Sequence, residues 1–102
     1  MADIRQARQR LVARILEGAG AAPGAQRRAA FDNAVLAEPL RGLIGNVAKH
    51  ANRITDGDIS AARASGLSED QIFELVVCAA VGQSTRQYDG AIAALDQATG
   101  GA

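Results

Sequence analysis

The chain has 102 residues and a formal net charge of zero, a length that fits one domain and buries roughly two-thirds of the unfolded surface. No run reaches the roughly 18 apolar residues of a membrane span, and the N-terminus lacks the charged-then-apolar order of a signal peptide. A single cysteine cannot close an internal disulfide, so a reducing cytoplasm is expected. The charge is divided: residues 1–53 hold nine basic and four acidic side chains (+5), residues 54–102 two basic and seven acidic (−5). The basic residues are not interleaved with aromatics and carry no recognition motif, which argues against a nucleic-acid partner. Basic helices packed beside acidic ones, within or between subunits, are the expectation instead.

Residues 3–17 read as a first amphipathic helix. Asp3 caps it with Gln6 at the capping-box position, and Ile4, Ala7, Leu11, Val12, Ile15 and Leu16 form an apolar stripe at helical spacing. That stripe has no Trp or Phe to anchor it in a membrane surface, so it is expected to pack on the domain or on a neighbouring subunit. GAGAAPG, from Gly18 to Gly24, reads as a flexible linker. A second helix, roughly 25–35, turns Ala29, Ala30, Phe31 and Ala34 inward. Pro39 opens a third, buried along Leu40, Leu43, Ile44, Val47, Ala48 and Ala51, with Gly42 and Gly45 allowing close contact and an end near Asn52.

Thr55 caps a fourth helix with Asp58 three residues on, and Gly66 supplies the left-handed residue that ends it. Ser68 and Gln71 cap a fifth, whose first turn carries Glu69 and Asp70 at the positive end of the dipole. These two helices are expected to pack as a hairpin. The fifth runs to Leu95 and bears Ile72, Phe73, Leu75, Val76, Val77, Cys78, Ala79, Ala80 and Val81. A helix apolar on more than one face is buried on more than one; one side suits the core and the other a subunit interface. Gly82 and Gly90 each cost roughly 1 kcal/mol against Ala in a helix interior, so either a neighbouring helix comes close there or the helix breaks near Gly90. The tail DQATGGA frays. The expected architecture is all-α: one domain over 1–102, a bundle of about five helices with a long buried C-terminal helix.

The run from Asp58 to Leu95 combines a turn (Gly66-Leu67-Ser68), an acidic opening (Glu69-Asp70-Gln71-Ile72-Phe73-Glu74-Leu75) and a long helix rich in small residues. In this it resembles the C-terminal half of the AhpD-like superfamily, which includes carboxymuconolactone decarboxylases and alkylhydroperoxidase-type proteins. With Pro39 onward included, the likeness spans Pro39 to Leu95. It implies an all-α fold that assembles as dimers, trimers or hexamers. Peroxidase-type members carry C-x-x-C-x-x-x-H ahead of the turn. Counted back from Gly66, those positions fall on Ala51, Ile54 and Asp58, so the resemblance implies a member without peroxidatic cysteines. Such a peroxidase needs a low-pKa thiolate and a resolving thiol. Glu38 stands one residue out of step with the family's proton-relay glutamate, and no role passes to it.

Cys78 follows apolar residues with no Lys, Arg or His within a helical turn. It is expected to be a small buried hydrophobe, with a redox thiol as the rival. His50, beside Lys49 at the end of the third helix, is expected at a helix end or an interface. One His and one Cys cannot build the usual zinc site within a chain, so no metal and no cofactor are expected. The polar set Gln83, Arg86, Gln87 and Tyr88 remains. Arg86 can hold a carboxylate bidentately, with Tyr88, His50 and Gln83 supporting it, as in a small carboxylate- or lactone-binding protein or a decarboxylase-like enzyme. The plainer reading pairs Arg86 with an acid such as Asp89 and puts Tyr88 in core space. Two expectations follow: an oligomeric helical protein without an assignable activity, or a small-carboxylate site on Arg86, Tyr88 and His50.

Overall fold

The computed structural model describes residues 2–34 and 36–100. Five α-helices build the fold: α1 (Ala2–Glu17), α2 (Gly24–Phe31), α3 (Leu40–Lys49), α4 (Asp56–Ala64) and α5 (Glu69–Ala98). A single 3-10 turn, Ala51–Arg53, joins α3 to α4. Among the described residues there is no strand, so the chain is all-α with a long C-terminal helix.

The helix boundaries follow from local chemistry. Thr55 and Asp58 form a reciprocal capping box, with Asp58 N–H to Thr55 Oγ1 at 3.2 Å and Thr55 N–H to Asp58 Oδ2 at 2.9 Å. Ser68 and Gln71 repeat it at the start of α5 at 3.1 and 2.9 Å. Between them Gly66 takes φ +106°, a conformation that side chains with a Cβ resist. α2 ends at Phe31, short of the expected 35. There Asn33 enters the left-handed region at φ 51°, and Ala34 N–H donates to Ala29 O at 2.8 Å while Asn33 N–H donates to Ala30 O at 3.2 Å. That pair of bonds is a Schellman stop. Val35 lies outside the described residues.

The first half of α5 is the axis of the core. Ile72, Leu75, Cys78 and Ala79 pack with Leu43, Ile44 and Val47 of α3, Ala30 of α2, Ala62 of α4 and Leu16 of α1. α2 and α3 give α5 most of its cover, so the α4–α5 hairpin is a lesser contact than expected. α4 buries only Ala62, whereas α2, a residue shorter, buries Arg27 and Ala30. The closest approach is at Gly82, where an added Cβ would strike the Phe31 carbonyl at the end of α2. This is the close helix contact expected of that glycine. Gly90 and Gly45 have nothing within 4 Å of such a Cβ, and Gly42 meets only the Glu38 carboxylate at 3.4 Å. Close packing at those three positions is not made within the chain. α5 nevertheless runs unbroken through Gly90 for its full 30 residues.

Much apolar surface stays uncovered. On α1 only Leu16 is buried, with Val12 and Ile15 packed at the edge of the core, while Ile4 and Leu11 are 52% and 49% exposed. Phe73 and Leu95 of α5 are 69% and 56% exposed. The chain measures 51 × 29 × 19 Å with a radius of gyration of 15.4 Å, against about 13 Å for a compact domain of this length.

Candidate functional site

The segment Gly18–Gly24 is a clasp on α5, not the flexible linker its composition suggests. The Glu74 carboxylate accepts the Ala21 N–H with both oxygens, at 2.8 and 2.9 Å, and the Ala22 N–H at 2.7 Å. Gln71 adds a bond from its amide to Ala21 O at 3.3 Å. Successive backbone N–H groups converging on one anion make a nest. Small residues permit it: a Cβ at Gly20 would collide with Glu74 Oε1.

Beside this nest lies Arg27 of α2, only 9% exposed. Its Nη1 donates to Ile15 O at 3.0 Å and Gly18 O at 2.7 Å. These are carbonyls of the last turn of α1 and the residue after it, so the guanidinium covers the negative end of that helix. Arg27 Nε has no partner. Among the described residues the ion pairs are Arg41–Glu38 at 2.9 Å and Arg63–Glu69 at 3.1 Å, and no carboxylate comes within 4.0 Å of Arg27.

Cys78 is the third member of the group, 1% exposed. Burial pushes its thiol above the ordinary value; the Arg27 charge pulls the other way, and the Glu74 charge pushes it further up. Its own helix carries no cation within a turn, but α2 delivers one from across the core. A cavity of about 190 Å³ opens here, walled by Ile15, Arg27, Phe73, Glu74, Val77 and Cys78. Sequence reading missed Arg27, although the signal was present: it stands three and four residues before Ala30 and Phe31, on the inward face of the second helix.

The four residues expected to form a site take other posts. Arg86 donates from Nη1 to Phe31 O at 2.7 Å and from Nη2 to Gln83 Oε1 at 3.1 Å. It caps α2, and Gln83 steadies it. Tyr88 lies under the Arg8 guanidinium, 4.6 Å from ring centroid to carbon, and Arg8 Nη2 also reaches Ser84 Oγ at 3.3 Å and Thr85 Oγ1 at 3.2 Å. Tyr88 thus lines a groove of about 340 Å³ between α1 and α5. His50 is exposed at the C-cap of α3 and lines a separate cavity of about 370 Å³ with Asn33, Arg41, Asn46 and Lys49. Gln83 and Arg86 come together; Tyr88 and His50 lie in different cavities.

Set against protein-family models, curated proteins and solved structures, the chain matches none of them. Its function is argued from its own residues. Among the described residues, no group of three or more His, Cys, Asp or Glu is placed to hold a metal ion, and no helix is long and apolar enough to cross a membrane.

Proposed function

We propose that this is an AhpD-like, carboxymuconolactone decarboxylase-type helical protein that works as a homo-oligomer and lacks thiol-peroxidase chemistry. The observation that carries self-association is surface. The single chain exposes 6478 Å², whereas a compact monomer of 10.5 kDa exposes about 5,400 Å². The excess, about 1,000 Å², is close to the ~800 Å² each partner gives to a standard interface.

Two further features favour a second copy of this chain as the cover. Phe73, Ala80, Ala91 and Leu95 fall on one stripe of α5 and are all exposed, with Val77 half-buried among them. The half of α5 beyond Gln83 projects from the core with little cover, and a helix of that length is marginal in water by itself. Among the described residues, no ion pair joins the basic and acidic halves of the chain. Arg41–Glu38 lies wholly in the basic half and Arg63–Glu69 wholly in the acidic half, so neither ion pair joins the two, and α1 and α5 are left to complement another copy. The loss of peroxidase chemistry is supported by the single thiol and by its burial, which keeps it protonated and out of reach. A lactone- or carboxylate-processing site on Arg86, Tyr88 and His50 would need a neighbouring copy to bring the three together.

Light scattering on the purified chain is expected to give a mass of two or more chains. Phe73→Asp and Leu95→Asp are expected to lower that mass and the melting temperature together. A mass of one chain at micromolar concentration, unmoved by either variant, ends the assembly reading.

A further inference from the structure

We infer that the cavity between α1, the Gly18–Gly24 clasp and α5 is a binding site for a small monocarboxylate with a short apolar tail. The observations leading there come from Arg27 and the cavity lining, of which Phe73 and Val77 also belong to the α5 stripe proposed to meet a second copy. Arg27 is nine-tenths buried, forms part of the cavity wall, and has no carboxylate within 4.0 Å among the described residues. Its Nη1 bonds are made to uncharged carbonyls, while Nε has no partner. The Glu74 carboxylate stands on the same wall but is taken up by the Ala21 and Ala22 N–H groups, so the guanidinium keeps a claim on a second carboxylate, whose planar fork it favours.

The charge count selects a monoanion. Arg14 and Arg27 line the cavity with Glu74, two positive charges against one negative, and Cys78 is neutral because burial raises its thiol. One added negative charge balances the group, whereas a dianion would face the Glu74 carboxylate with a surplus. The walls set the rest of the ligand. Ile15, Phe73 and Val77 supply apolar surface, and about 190 Å³ holds roughly six water-sized volumes of ~30 Å³ each. That suits a headgroup with a short hydrocarbon or a single ring.

The test is a titration of the full chain with benzoate, followed by amide ¹H–¹⁵N NMR, with benzamide and inorganic phosphate as rival probes. Benzoate is expected to shift the amides of Ala19, Val77 and Cys78 saturably. Benzamide, the same shape without the charge, is expected to bind about tenfold or more weakly, the worth of one charge-assisted hydrogen bond. Arg27→Gln would unseat the end of α1, so two other variants carry the test: Val77→Phe, which fills the cavity and leaves the Arg27 bonds alone, should abolish the shifts, and Arg14→Gln should weaken them. Leu95→Asp lies outside the cavity lining and is expected to lower the assembly mass, so saturable benzoate shifts that persist in that variant separate this site from the oligomer proposal. Equal binding of benzamide, tighter binding of phosphate, shifts confined to Arg5–Arg10, or a benzoate response that survives Val77→Phe would each overturn the assignment, as would no saturable shift at all.

Discussion

Arg27 and Arg86 do the same task at two levels of burial. Each lays a guanidinium on carbonyls at the C-terminal end of another helix, Arg27 on α1 and Arg86 on α2, where the helix dipole favours a cation. Gly82 makes the second contact possible by letting the Phe31 carbonyl come against α5. Gly82→Ala is therefore expected to cost stability, because overpacking of about 1–3 kcal/mol outweighs the ~1 kcal/mol of helix propensity gained. A Cβ added at Gly90 would meet nothing within 4 Å among the described residues, so Gly90→Ala should raise the melting temperature; the two variants compared by thermal denaturation give opposite signs. Cys78 carries a pH signature. Its folded pKa lies above the ordinary 9.0, so the folded state keeps the proton longer than the unfolded one. The stability this contributes is whole below pH 9.0 and falls as pH rises through the raised value. Melting temperatures of the wild type should therefore decline more steeply above pH 9.0 than those of Cys78→Ala, and the two should run parallel at neutral pH.

Among the elements, α5 and the clasp depend on one another. The Gly18–Gly24 segment contributes N–H groups that Glu74 satisfies, and Glu74 in turn sits at the inner edge of a helix otherwise lined with apolar residues. Glu74→Gln keeps the shape but replaces a charged acceptor with an amide that presents one oxygen to N–H groups of Ala21 and Ala22. The expected cost is about 2 kcal/mol by denaturant unfolding, with faster hydrogen exchange at Ala21 and Ala22 as the local readout. α1 depends on the same joint, since Arg27 holds its end and, among its described side chains, Leu16 alone is buried. The N-terminal turns, with Ile4 and Leu11 half-exposed, gain little from the body of the chain.

At the scale of the molecule, elongation and the divided charge point the same way. On the assembly reading proposed above, the exposed apolar residues of α5 and an arginine-rich α1 that has no carboxylate partner among the described residues would complement a second copy. If copies associate through these faces, the melting temperature should rise with protein concentration. Added salt should reduce that concentration dependence by screening the pairing of basic and acidic halves, since the Debye length shortens from about 10 Å at 0.1 M to about 3 Å at 1 M. Light scattering across a salt series checks it, with Phe73→Asp as the variant that should show no dependence.

What the sequence by itself determined was everything governed by neighbours in the chain: five helices, the Thr55 and Ser68 capping boxes, the turn at Gly66, and the buried face of α3 from Leu40 to Ala48. Those depend on spacing and on groups within about four residues, which periodicity and cap chemistry report directly. The tertiary structure decided which of two apolar faces of α5 the chain itself covers, why Gly82 and not Gly90 marks a close approach, and where each arginine goes. Arg86 is expected either to pair with an acid such as Asp89 or to hold a carboxylate, and instead donates to the Phe31 carbonyl; Arg27, to which no role is assigned from the sequence, is buried beside Cys78. No local pattern distinguishes the two, because a guanidinium's partner is chosen by whichever carbonyls the packing of α1, α2 and α5 brings within three ångströms.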